Sequence, residues 1–467
     1  MKRFFLLIFI SCLMACSQNM EDGGIKESSQ NLVSLTQDEF LSIAYDNPKE
    51  LSVEEVRNIA SDFLKALNKE NESETKSSVS EFTLKIDSKS YYSPCQFVLS
   101  TKTASDEKLK LPVYEVEVTS NQGVGVVYIS ADERNAEVIT YIPQMADNAE
   151  LFVKSGSAFL VEWAKESAYE HLVEIEKART TLHDATVTKI STQLGIEKSE
   201  VTLENVIDKI VVAGTRATAI TTPTTQIIAK CDPIVKTEWS QGSPYNLSLP
   251  IPNAPSTQAH VYTGCAVTAA CQLMTAIKPK LTLGGMLIDW DYLTQSDEVS
   301  AGDSADKLAM LGKLHSWVFD QLDATPQYDI NGYHNGTGVS ANSQVWFYGN
   351  YFNHSENYSK YDPDALLRSF RAGYPSLIRG QGHAWIVDGY IIAEKAVASS
   401  QSSTRAIIIQ YYDMFWHANL GWGGLANGYY KLKPDAHVDF ESVGYTFTTD
   451  GLYIYPGLYS KVENLNF

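Results

Sequence analysis

Tyr262-Thr263-Gly264-Cys265-Ala266-Val267-Thr268-Ala269-Ala270-Cys271-Gln272-Leu273-Met274 is the most informative run in this chain. After Gly264 the residues favour a helix. Val267, Ala270, Cys271 and Met274 recur at the spacing of a single helical face. That face reads as buried, with Cys271 as a small, inert hydrophobe within it. Cys265 falls at the helix start and off that face. A helix N-terminus favours negative charge, so the sequence predicts a lowered thiol pKa there. Gly264 lets neighbouring backbone approach closely. A cysteine at a helix start also occurs for purely structural reasons, so its meaning depends on what else the chain supplies.

Two later stretches supply it. In Gly380-Gln381-Gly382-His383-Ala384-Trp385-Ile386-Val387-Asp388-Gly389-Tyr390, the β-branched residues and alternation predict a strand over Ala384 to Val387. His383 stands at its entry, with glycines leaving room around it. Trp416-His417-Ala418-Asn419-Leu420-Gly421-Trp422-Gly423-Gly424 follows. The chain order Cys265, His383, Asn419 is that of a thiol nucleophile, its base and an orienting amide. Cysteine is a soft nucleophile, and histidine can take its proton and later return it to a leaving amine. The tetrahedral oxyanion also needs donors. Gln241, in Trp239-Ser240-Gln241-Gly242-Ser243-Pro244-Tyr245-Asn246 upstream of the cysteine, offers a side-chain amide. The other histidine of this region, His417, lies among aromatic residues and reads as part of a packed strand.

These stretches together resemble the streptopain-type cysteine peptidases, a papain-fold group of secreted bacterial zymogens. The matching segments are Trp239 to Asn246, Thr263 to Met274, Gly382 to Tyr390 and Asn419 to Tyr429, in family order. The resemblance implies an α+β fold: a papain-like cysteine peptidase domain, with a helical part and an antiparallel β part, behind a small α+β propeptide or inhibitor domain. It implies Cys265 as nucleophile, His383 as general base and acid, and Gln241 as oxyanion donor beside the Cys265 N–H. It gives Trp422 a part in positioning the histidine, with Asn419 nearby. Leu420 stands where the family usually has a further Trp. The family lines its substrate cleft with a Gly/Ser-rich segment, which here falls on Tyr333 to Ser340. Gly338, Ser340 and Gly382 are the substrate-binding candidates.

The N-terminal half divides by composition. Over 35–150 it reads as a small α+β unit. Ser52 and Glu55 form a capping box ahead of an apolar face through Val56, Ala60, Phe63 and Leu67. Val113 to Val118 and Val124 to Ser130 read as strands joined at Asn121-Gln122-Gly123. Gly125 to Glu133 is similar to a segment of the streptopain propeptide, which covers the cleft until removed. Residues 151–212 read as a charged, exposed helical insertion or hairpin without chemistry of its own. Residues 213–230, rich in Thr and Ala, read as an exposed processing linker. The peptidase domain is expected over 231–467.

The chain has 467 residues, 44% of them hydrophobic and 20% charged, which is ordinary globular composition. Its 37 Lys and Arg against 56 Asp and Glu leave a net charge of −19, so a broad basic face for nucleic acid is excluded. Lys2 and Arg3 precede an apolar run from Phe4 to Leu13 that is too short to span a bilayer. Leu13-Met14-Ala15-Cys16 then reads as a lipobox, which predicts a signal over 1–16, lipidation of Cys16 and a tether over 17–34. The expected location is the bacterial envelope, lipid-anchored, or the medium after processing. The four remaining cysteines have neither disulfide-framework nor zinc spacing, and no metal or cofactor is expected. The expected partners are protein or peptide substrates, the chain's own propeptide and, through the lipid, a membrane. An alternative is a non-catalytic binding or inhibitory lipoprotein on a degenerate peptidase scaffold, and a further one is a transpeptidase or amidase with the same Cys-His chemistry.

Overall fold

The computed structural model describes residues 32–45, 47–71, 82–93, 109–121, 123–145, 156–212, 216–218, 225–253, 259–380, 383–398, 406–432, 440–442, 445–447, 452–461 and 465–467. The architecture is α+β, with helices packed on a large, mainly antiparallel sheet. The N-terminal unit begins as its sequence directs. The Ser52 N–H donates to the Glu55 carboxylate at 2.8 Å and the Glu55 N–H to Ser52 Oγ at 3.3 Å, closing the capping box. The helix Val53–Asn71 then buries Val56, Ala60, Phe63, Leu64 and Leu67. Strands Thr83–Tyr92, Leu111–Ser120, Gly123–Ser130 and Glu137–Ile142 pair antiparallel in that order, and Ser120 lies opposite Gly123 across the expected turn.

The C-terminal half has two parts. Helices Cys265–Ile277, Ala305–Gln321 and Ala341–Tyr351 enclose a core containing Trp239, Met274, Leu311 and Phe347. Beside them, strands Ser376–Gly380, His383–Ala398, Ala406–Asn419 and Gly428–Tyr430 form antiparallel neighbours. The two halves of the chain share this sheet. Tyr429 and Tyr430 pair with Tyr141 and Thr140, so it continues from the C-terminal strands into the N-terminal unit. Beside this seam, the Lys431 ammonium lies between the carboxylates of Glu137 and Asp413, one from each half. Burial alone would lower its pKa, but Asp413 and Glu137 outweigh that and hold it above the ordinary lysine value.

Two expectations for the middle of the chain are corrected. Residues 157–194 form a single helix, Ser157–Leu194, and its first half is not exposed. Phe159, Leu160, Trp163, Ala164, Ala168 and Leu172 are buried in one core cluster with Trp385, Trp416 and Tyr430. Farther along, Ile175, Val187 and Ile190 pack with Phe40, Leu41 and Ile43 from the helix Gln37–Ala44. The helix serves two separate cores, so its apolar residues do not keep to one continuous stripe. The processing linker also contains structure. Arg216–Thr218 pairs with Ala406–Ile408, and Thr225–Cys231 pairs with the His383–Ala398 strand over Tyr390 to Lys395. The β-branched Thr225, Ile227 and Ile228 suit that position.

Trp163 tests whether the long helix is integral. It is fully buried, 5.3 Å from the ring of Tyr361 in the C-terminal half. Trp163→Ala is expected to cost about 3–5 kcal/mol through lost burial and the cavity left behind. Urea unfolding followed by far-UV circular dichroism should show the lowered midpoint, and an unchanged midpoint would contradict the packing.

Candidate active site

Cys265 is the first residue of the helix Cys265–Ile277. Gly264 precedes it at φ +83°, and a Cβ there would lie 2.7 Å from the Thr337 carbonyl oxygen. The close approach expected of this glycine is therefore real, and only glycine adopts that backbone without strain. Thr337 Oγ1 donates to the Tyr262 carbonyl, tying the same turn to the strand His334–Gly338. Cys271 is fully buried in the core, as its helical position predicts.

The Gln241 segment is bound to this turn. The Gln241 carbonyl accepts from the Thr263 N–H at 3.0 Å and from Thr263 Oγ1 at 3.3 Å, and Gln241 is itself buried. His383 opens its strand as the sequence predicts. It lines one cavity of about 550 Å³ together with Cys265, Gln327, Gly338, Ser340 and Arg379. Cys265, His383, Gly338 and Ser340 are thus brought together around one space. The Ser340 hydroxyl also caps the helix Ala341–Tyr351, accepting from the Ser343 N–H at 3.0 Å. Gly382 and Cys16 lie outside the described residues.

The third group proves to be distributed. Asn419 is buried, and its amide is occupied. Its Nδ2 donates to the Thr237 carbonyl at 2.9 Å, and its Oδ1 accepts from Gln272 Nε2 at 3.1 Å and from the Gly421 N–H at 3.2 Å. Gln272 Oε1 in turn accepts from the Trp239 N–H at 2.8 Å. Trp422 is half-buried against the sheet-side core. Sequence reasoning missed Trp385, whose indole stacks on the His383 imidazole with centroids 5.8 Å apart and planes 20° from parallel. The signal was there: residues two apart on a strand share a face, so a buried Trp385 belongs beside His383. His417 is a packed residue as expected. Its Nδ1–H donates to the buried Asp388 carboxylate at 2.7 Å, whose second oxygen accepts from the Val235 N–H at 2.7 Å.

One expectation about the thiol is corrected. Burial pushes the Cys265 thiol up from its ordinary value, and hydrogen bonds from the Ala384, Ala266 and Cys265 backbone pull it only part of the way back. Desolvation outweighs the helix terminus in this state. The long helix adds a steric element. Gly156, which caps its start at φ +83°, approaches the imidazole so closely that a Cβ there would lie 2.8 Å from His383 Cδ2 and 3.1 Å from Nε2.

A raised thiol pKa means that the reactive thiolate is scarce at neutral pH and grows as pH rises. Alkylation of Cys265 by iodoacetamide in the intact chain is therefore expected to be slow at pH 7 and to accelerate steeply toward alkaline pH. Mass spectrometry of the Cys265 peptide over a pH series checks this, and fast, flat labelling from pH 6 upward would contradict it.

Comparison with known proteins adds a family match over part of the chain. Residues 239–430 match the peptidase C10 family. No curated protein matches the sequence. Among solved structures, the chain is similar to a fragment of Prevotella intermedia prointerpain A, at 17% identity and a TM-score of 0.42 over 74% of this chain and 96% of that one. It is also similar to active interpain A cysteine protease of the same organism, at 19% identity and a TM-score of 0.34 over 50% of this chain and 97% of that one. The part of the chain that matches the peptidase C10 family carries Gln241, Cys265, His383, Asn419 and Trp422.

Proposed function

We propose that this chain is a bacterial cysteine endopeptidase made as a self-inhibited zymogen, on the lines of the streptopain-type enzymes. The observation that carries the zymogen reading is the seating of Gly156 against the imidazole of His383, which faces the same cavity as Cys265. In the active form the Cys265 sulfur attacks the carbonyl carbon of the scissile bond while His383 takes the thiol proton. The oxyanion receives hydrogen bonds from the Gln241 side chain and the Cys265 N–H. His383 then gives its proton to the departing amine, leaving a thioester. Water, deprotonated by His383, hydrolyses the thioester and restores the thiol. Trp385 supports the ring from its face. Asn419 acts through position, fixing the strand beside His383.

Activation requires that the segment carrying Gly156 be released. A peptide bond must be extended and unpaired to enter a protease cleft. Arg216–Thr218 and Thr225–Cys231 are already hydrogen-bonded into the sheet, so in this reading the cut falls within 213–224 but outside 216–218. The full chain lacking its signal, its Cys265→Ala variant and its Gly156→Val variant, incubated at neutral pH under reducing conditions, test this reading. Only chains with Cys265 should yield a shorter C-terminal species, its new N-terminus should lie within 213–225, and Gly156→Val should process faster than wild type. Intact chains that neither cut casein after a trypsin nick in the linker nor react with E-64 would sink the peptidase reading. They would favour the binding lipoprotein instead. Added amines appearing in the products would favour a transpeptidase.

The lipobox supports a lipid anchor on Cys16, and with it an envelope location. No helix among the described residues is long and apolar enough to cross a membrane, so attachment in this reading rests on the lipid. Expression in a bacterium fed an alkyne fatty acid should label the wild type and not Cys16→Ser. Equal absence of label from both would leave only the secreted form of the reading.

A further inference from the structure

Arg379 stands in the last strand before His383, and it lines the same cavity as Cys265 and His383. Its partner across the sheet is Ala384, the residue after the histidine. Among the described residues no carboxylate holds the guanidinium. Its Nη2 donates to the Tyr358 hydroxyl at 2.6 Å. Its plane lies over Tyr453 at 4.9 Å and near Tyr358 at 5.8 Å, and those two rings stack on one another at 5.4 Å. Its Nε is shielded from solvent and has no hydrogen-bond acceptor among the described residues.

This arrangement is unusual for a chain with a net charge of −19, in which carboxylates are plentiful. A mostly buried arginine elsewhere does have them: Arg134 is paired with Asp132 and Glu176, both at 2.6 Å. Among the described residues on the cavity wall the other carboxylate or guanidinium is that of Asp323, which is exposed, and Gln327 and Gln344 offer neutral donors there. Arginine keeps its charge at all working pH values and offers a planar fork that matches a carboxylate. The tyrosines fix that fork before any ligand arrives, which removes much of the ordering cost of binding.

We propose that Arg379 forms a carboxylate-binding subsite of the cleft, selecting peptide substrates that present a carboxylate beside the scissile bond. The proposal rests on the peptidase reading above. The carboxylate has two sources, an Asp or Glu side chain or the C-terminus of a short peptide.

The test uses the full chain after processing, with matched sets of internally quenched peptides. One set carries Glu or Gln at each position around a single cleavable bond. A second set ends in a free acid or an amide. The quantity read is the ratio of kcat/KM for each acid over its neutral isostere, in wild type, Arg379→Met and Arg379→Lys. Charged hydrogen bonds of this kind correspond to a preference on the order of tenfold to a hundredfold. In wild type that preference is expected in one of the two sets, and the set identifies the source. Arg379→Met should bring the ratio close to one, and Arg379→Lys should keep part of it. Wild-type ratios near one in both sets, or ratios unmoved by Arg379→Met, would overturn the subsite and leave the peptidase reading standing. No cleavage of any peptide would overturn both.

Discussion

Two buried side-chain amides hold this site together. Gln272 projects from the helix that begins at Cys265, and Asn419 ends the strand that runs beside His383. They bond to each other at 3.1 Å, and between them they bind backbone at Thr237, Trp239 and Gly421. Thr237 and Trp239 lead into Gln241. Three stretches far apart in the chain therefore converge on one pair of amides; Cys265 and Gln241 ride on two of them, and the third runs beside the strand that His383 opens. An unsatisfied buried amide costs about 1–3 kcal/mol, so losing either partner would strand several groups together. The orienting amide of the chain order Cys, His, Asn is thus committed to the scaffold here, while the face of the imidazole is covered by Trp385.

The same residues pack the core and hold the long helix against His383. Trp385 stacks on His383 and also belongs to the core that receives Phe159, Leu160 and Trp163 of the long helix. Ser157, next to Gly156, shares a 2.8 Å hydrogen bond with the buried Tyr430 hydroxyl. The helix start is thereby fixed on the C-terminal half at the point where it meets the imidazole. Desolvation of the Cys265 thiol, which pushes its pKa up, belongs to the same state.

The half that carries Cys265 and His383 was largely legible in the sequence because its signals are local. A glycine before a cysteine, an apolar helical face and a histidine at a strand entry each fit within a few residues. The Ser52 and Glu55 box and the Val113 and Val124 strands were readable for the same reason. The long helix was not, because its burial comes from Trp416, Tyr430 and Phe40, more than a hundred residues away in sequence. The strand at Thr225 was hidden in a Thr-rich run whose only reason to be extended is the open flank of the His383 strand. The thiol was misjudged because a helix terminus is visible in sequence and desolvation is not. Arg379 could be read only as part of the short stretch before His383, since an arginine acquires meaning only when its neighbours turn out to be tyrosines.

The shared sheet has a consequence for the mature form. If the N-terminal unit departs, Gly428–Tyr430 loses its partner Glu137–Ile142 and becomes a bare margin of the sheet. Such margins recruit other chains by backbone pairing. This one is three residues long, opens with a glycine and is followed at once by Lys431. Freed from Glu137, that lysine would sit at the rim with one counter-charge fewer. Brevity and a positive charge are both features that discourage self-association, so activation need not leave behind a protein prone to stick to its own copies.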